Sequence, residues 1–152
     1  MTEAMLECAR ATLRANDRGG YTVPTAKLYP FQWNWDSAFA AMGFATFDTA
    51  RAWREIERLL EGQWADGMIP HIVFHAPSDD YFPGPAVWGT IHTPPTSGIT
   101  QPPVLATAVT LVHPASYRWF AEGAVAGYAL SPEGWRALCG TAPADAISPG
   151  AS

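Results

Sequence analysis

Apolar residues recur at helical spacing in several stretches of the chain, separated by segments where proline and glycine break the period. Met5, Leu6, Ala9 and Leu13 predict a first helix from about Thr2 to Asn16, ended by Asn16-Asp17 and Gly19-Gly20. Tyr21 to Gln32 holds Pro24 and Pro30 without a helical period and reads as loop. A second helix follows to about Phe44, with Asp36 or Ser37 able to cap it, and Ala38, Ala40, Ala41 and Gly43 permitting close backbone approach. Asp48 is the expected N-cap of a third helix, which runs to about Gln63. Its apolar stripe is Trp53, Ile56, Leu60 and Trp64, while Arg51, Arg54, Glu55, Arg58 and Glu61 fill the other faces.

Met68 to His75 is β-prone and lies between Pro70 and Pro77, so a short extended segment is expected there. Ser78 to Gln101 is dense in proline and glycine, and a loop of that length inside a compact domain is usually built for binding. Pro102 suits the first position of a fourth helix, reaching about Val109. From Thr110 the pattern changes. Tyr117, Trp119, Phe120 and Tyr128 admit one more helix, and the segment Cys139–Ser152 is rich in alanine, proline, serine and glycine. The elements describe an all-α fold of helix pairs joined by long loops, divided into 1–109 and a divergent 110–152.

Composition narrows the function. The 152 residues suit one domain, and a net charge of −5 with a single lysine, Lys27, offers no footprint for nucleic acid. Charged residues make up 15%, well below the quarter usual for a free-standing soluble domain. Cys8 and Cys139 are too far apart to form a disulfide framework or a zinc ligand set, so reduced thiols in the cytoplasm are expected. Neither a signal peptide nor a membrane span is expected.

The stretch Tyr29-Pro30-Phe31-Gln32-Trp33-Asn34-Trp35-Asp36 carries the most chemistry. Flat aromatic faces beside a fixed carboxylate suit a sugar ring: dispersion covers its C–H face, and the carboxylate accepts two hydroxyl hydrogen bonds. The same Asp36 is equally placed to be a plain helix cap. His71 and His75 are four apart, which on a helix would suggest metal ligands. Extended backbone puts them roughly 13 Å apart instead, and no metal or cofactor is expected. Asp66 reads as a turn residue, and Asp79-Asp80 as a solvated pair.

Four segments in order, YPFQWNWDSAF (29–39), QWADGMIPHIVF (63–74), YFPGP (81–85) and TSGITQPP (96–103), resemble glycoside hydrolase family 63, in particular its glucosylglycerate and mannosylglycerate hydrolases. The resemblance implies an inverting α-glycosidase on an (α/α)6 barrel, acting on a small glycoside. Within it Asp36 would bind the glycosyl unit in the −1 subsite, Trp33 would contact the sugar, and Trp35 would be core. Tyr29, Tyr81 and Gln101 would also reach the pocket, and Gln32 is a further amide candidate.

An (α/α)6 barrel has twelve helices and needs well over ~250 residues. The family's acid aspartate and base glutamate follow the TSGITQPP motif, and no segment after Thr110 resembles theirs. The expectation is therefore a partial barrel without its catalytic residues, inactive alone, its tail resembling out-of-frame translation. Without neighbours, the third helix would leave a two-tryptophan face exposed for self-association. Two other readings stay open: a noncatalytic carbohydrate-binding module using Trp33, Asp36 and Tyr81, and an interaction protein with an aromatic surface.

Overall fold

A computed structural model of the protein describes residues 2–112, so the expected helix at Tyr117–Tyr128 and the tail from Cys139 lie outside the described residues. The described chain is mostly helical. Helix α1 spans Glu3–Ala15, and the Thr2 hydroxyl accepts from the Met5 N–H to cap it. Helix α2 spans Asn34–Ala45, α3 Thr49–Leu60, α4 the single turn Pro85–Trp88, and α5 Val104–Val112. The all-α expectation needs one correction. Strand β1 (Gln32–Trp33) pairs antiparallel with β2 (Ile72–Val73), Gln32 opposite Val73 and Trp33 opposite Ile72. The extended run was expected at 68–75 but not its partner, because a two-residue strand directly before a helix leaves no alternating pattern to read.

The helices pack because α2 is small on its buried side. Ala38 and Ala41 are fully buried and let α3 and α5 approach, with Phe44 filling the space at the far end. From α3 come Ala52, Trp53, Ile56, Leu59 and Leu60, and from α5 Leu105, Ala108, Val109 and Val112, all in one core. Burial at this density removes apolar area from water and is the main stabilising term. Helix α1 buries no residue of its own and comes close to α2 where Leu13 lies over Gly43.

Two expectations about α3 are corrected by this packing. Its tryptophan face is not exposed, since Trp53 and Leu60 are sealed under α2 and α5. The helix also stops at Leu60, so Trp64 falls in the following turn and stacks on His92 at 4.4 Å between centroids. Similarly, α5 begins at Val104 rather than Pro102, whose carbonyl accepts from the Val104 N–H.

The TSG segment closes the ribbon. The His71 N–H donates to Ile99 O, the Ser97 N–H to Ile72 O, and the Phe74 N–H to Pro95 O. Backbone donors of this kind must find acceptors when buried, and here they tie the end of the proline-rich loop to β2. The start of α2, the ribbon and residues 95–101 thus form one connected surface. Among the described residues no helix is long and apolar enough to cross a membrane.

Candidate functional site

The N-terminal turn of α2 is the centre of the site. Its cap is Trp33, in extended conformation and without a side-chain cap bond, so Asp36 is not the cap but the third helical residue. A missing local cap leaves backbone donors of the first turn to be satisfied from elsewhere. Gln101 does this across the fold: its Oε1 accepts from the Trp35 N–H at 3.0 Å. The Asn34 N–H goes to His71 O at 3.0 Å.

Because the helix begins at Asn34, Trp33 and Trp35 do not share a face as they would on extended backbone. Trp35 is 42% exposed and meets Phe39 edge-on, with Phe39 itself 53% exposed. Trp33 is 5% exposed. The division expected for the two indoles is therefore reversed: Trp35 is open and Trp33 is packed. Trp33 sits in a cluster with Phe31, Ile72 and Phe74, and Tyr81 and Trp88 cover it.

Tyr29 and Tyr81 close that cluster from the outside. Tyr29, 45% exposed, meets Trp33 edge-on at 5.3 Å and lies 6.0 Å from Tyr81 between centroids. Tyr81 meets Trp33 at 5.0 Å, also edge-on. Such edge-to-face pairs fix ring orientation through the aromatic quadrupole. Two loops remote in sequence thus present neighbouring phenol rings over one buried indole.

Asp36 faces another way. It lines a cavity of about 310 Å³ with Thr12, Leu13, Asn16, Thr22, Val23, Pro24, Phe39 and Ala40. That is the small end of the range for ligand pockets. Tyr29, Trp33, Tyr81 and Gln101 do not line it, so the expected site residues fall on two sides of one helical turn. No side chain among the described residues donates to the Asp36 carboxylate. Burial raises its pKa, opposed only by a hydrogen bond from its own backbone. A half-buried carboxylate without a cation or external donor is costly in a folded protein.

The other candidates are engaged structurally. Gln32 is fully buried, with its amide divided between Glu55 and His75, and contacts no open surface. His71 pairs its Nδ1 with the Ser97 hydroxyl at 3.0 Å and faces Trp88, and burial lowers its pKa. His75 lies on Gln32 and Arg58. Asp66 accepts from the Met68 N–H in a turn, while Asp79 and Asp80 are exposed.

The sequence reading missed a buried polar network beneath the cavity. Glu55, placed by the pattern on a solvent face of α3, is 0% exposed. Its carboxylate accepts five hydrogen bonds: from Thr22 N–H, Gln32 Nε2 and Ser37 Oγ on one oxygen, and from Thr22 Oγ1 and Arg51 Nη2 on the other. Arg51 continues to Asp17 through Nε at 2.8 Å and Nη2 at 3.1 Å. Burial alone would push the Asp17 carboxyl up, but Arg51 and the Gly20 and Gly19 N–H groups hold it below its usual range. One signal was available: Glu55 falls between Ala52, Ile56 and Leu59, within the buried arc of α3.

The helical architecture and the order of the four motifs define the class as a glycoside hydrolase domain. Residues 29–127 match the model of the mannosylglycerate hydrolase MGH1-like glycoside hydrolase domain, and the chain belongs to that family. The match runs past Val109, where the motif resemblance ends, into residues outside the described structure.

Among relatives, the chain is 56% identical over 110 residues to mannosylglycerate hydrolase MGH1 of Selaginella moellendorffii, covering 72% of this chain and 22% of the relative. It is 57% identical over 104 residues to the mannosylglycerate hydrolase of Thermus thermophilus, covering 66% and 25% respectively. It is also 52% identical over 104 residues to the glucosylglycerate hydrolase of Mycolicibacterium hassiacum, covering 64% and 23%. A crystal structure of a family 63 mannosylglycerate hydrolase from Thermus thermophilus with Tris and D-glycerate superimposes with a TM-score of 0.72 at 46% identity, covering 82% of this chain and 32% of that one. The chain thus spans about a quarter of the length of the curated relatives it matches.

Proposed function

We propose that this chain forms the glycosyl-binding front of an inverting glycoside hydrolase domain of (α/α)6 type, whose substrate is a small glycoside such as mannosylglycerate or glucosylglycerate. One observation carries the reading: Asp36 lines a cavity as a half-buried carboxylate with no donor among the described residues but its own backbone. Sugar hydroxyls would supply the missing donors, and charge-assisted bonds of that kind are strong where water is excluded. Phe39 lines the same cavity and can lie against a C–H face, with Trp35 beside it.

Around the same turn, Tyr29 and Tyr81 offer hydroxyls to the glycerate unit, and the Gln101 amide nitrogen is free to donate once its oxygen has capped α2. Trp33 acts from beneath, fixing both phenol rings. The relatives named for mannosylglycerate and glucosylglycerate, and the D-glycerate-bound structure, support this substrate class. The distant cysteines support a cytoplasmic setting.

Inverting hydrolysis needs an acid and a base ~6.5–9.5 Å apart, with a water between base and sugar. Asp17 and Glu55 are committed to Arg51, and Asp48 to the cap of α3. The resemblance puts the acid and base downstream of the TSGITQPP motif, so the described residues are read as binding rather than cleaving, and this chain alone is expected to release no sugar from either glycoside. Calorimetric titration with mannosylglycerate, glucosylglycerate and D-glycerate tests the reading. Saturable binding lost at least ~tenfold in Asp36→Asn supports it. Equal affinity in that variant refutes it, and turnover by the unaided chain refutes the division of labour.

A further inference from the structure

We propose that Glu55 is a positioning residue that holds Asp36 in its cavity, acting through Ser37, the next residue along α2, and through Thr22 in the cavity wall. This rests on the reading of Asp36 as a sugar ligand. Ser37, the next residue after Asp36, is buried and donates its hydroxyl to Glu55 Oε1 at 2.6 Å. Thr22 lines the same cavity and donates both its N–H, at 3.1 Å, and its hydroxyl, at 2.7 Å, to the Glu55 carboxylate. One buried carboxylate thus grips both the first turn of α2 and the loop facing it.

The geometry suits positioning rather than simple support. A carboxylate has about four lone-pair sites, and here donors from four residues converge on it. A carboxylate saturated in this way rigidifies its surroundings, because moving any one donor strands a buried polar group. Asp36, by contrast, has no partner among the described residues beyond its own helix. Its placement is inherited from Ser37, and the width of its cavity from the Thr22 anchor.

The test uses Ser37→Ala and Asp36→Asn, singly and together, in the intact chain. Without sugar, the Asp36 carboxyl is titrated by NMR. With sugar, mannosylglycerate affinity is measured by calorimetry. Ser37→Ala is expected to move the Asp36 midpoint back toward the ordinary aspartate range and to weaken binding about tenfold, roughly the worth of one lost hydrogen bond. That tenfold loss should vanish in the Asp36→Asn background, which a purely structural role would not produce.

An unchanged Asp36 titration in a folded Ser37→Ala variant overturns positioning, as does a binding loss that persists in the double variant. If the wild type binds no glycoside, the sugar reading fails, and the ligand-free titration alone decides whether Glu55 positions Asp36. Should Ser37→Ala not fold, Thr22→Val loosens the cavity wall at Thr22 and is judged by the same two measurements.

Discussion

Glu55 and Asp36 are two carboxylates on neighbouring helices with opposite circumstances. Glu55 is fully buried and saturated with donors, including the Arg51 guanidinium; Asp36 is half-buried at a cavity wall and among the described residues receives only its own backbone N–H. The difference separates a carboxylate that organises the fold from one kept available. Burial without partners is unfavourable, and the sugar hydroxyls proposed above would supply what the described residues do not give Asp36.

The largest expected effect breaks the saturated side. Glu55→Ala leaves Arg51 with Asp17 as its one carboxylate partner among the described residues and strands the Ser37 and Thr22 hydroxyls as donors. Removing one partner of a buried pair costs ~3–5 kcal/mol, a large part of the ~5–15 kcal/mol that holds a typical domain together. Denaturant unfolding should show a midpoint lowered accordingly, and a loss under ~1 kcal/mol would mean the network is ornamental.

Next in size is an effect of pH. The His75 side chain is 2% exposed, and burial, then Arg58, lowers its pKa from 6.5 to about 4. Gln32 fixes the tautomer: its nitrogen donates to Glu55, so its oxygen accepts from His75 Nε2–H at 2.6 Å, and Nδ1 accepts from Arg58. Tyr21 stacks on the ring, and Glu61 approaches Nδ1 at 4.0 Å. Because the folded pKa lies below the unfolded one, the unfolded chain binds the proton first. Stability is therefore full above pH 6.5 and falls by about 3 kcal/mol as pH drops from 6.5 through 4. His75→Gln should flatten that part of the stability profile.

A smaller change tests one strand of the network. Thr22→Val removes the hydroxyl that donates to Glu55 and accepts from Arg51. The backbone N–H bond to Glu55 stays, so a loss of ~1–2 kcal/mol is expected by thermal unfolding, well short of Glu55→Ala.

The contrast also explains what could be read from sequence. The helices were legible because their apolar stripes are dense, and the third began at Asp48 as its side chain demands. Asp36 stood out because it follows two indoles, but whether it capped the helix or faced a cavity depended on where the helix began. The first-turn donors are met from far away, Trp35 N–H by Gln101 66 residues on and Asn34 N–H by the His71 carbonyl, which no local pattern encodes. The same one-turn uncertainty exchanged Trp33 and Trp35. Glu55 was misplaced for a related reason: four residues after Arg51, it resembles a surface ion pair, and its burial depends on Thr22, Gln32 and Ser37 arriving from elsewhere.

The smallest expected change has the opposite sign, which makes it the sharpest test of the comparison. Burial holds the Asp36 pKa above its usual value, so the folded state disfavours the carboxylate and loses stability as pH rises through the aspartate range. Asp36→Asn keeps the shape and discards the charge. At neutral pH its melting temperature should equal or slightly exceed the wild type, and the wild-type advantage from acidification in the aspartate range should disappear. The helix dipole pulls the other way, since Asp36 lies in the first turn of α2 where a negative charge is favoured. The raised pKa comes from desolvation, set against the hydrogen bond from its own backbone. A clear fall in melting temperature on Asp36→Asn would show that the carboxylate supports the fold after all, and would erase the distinction between it and Glu55.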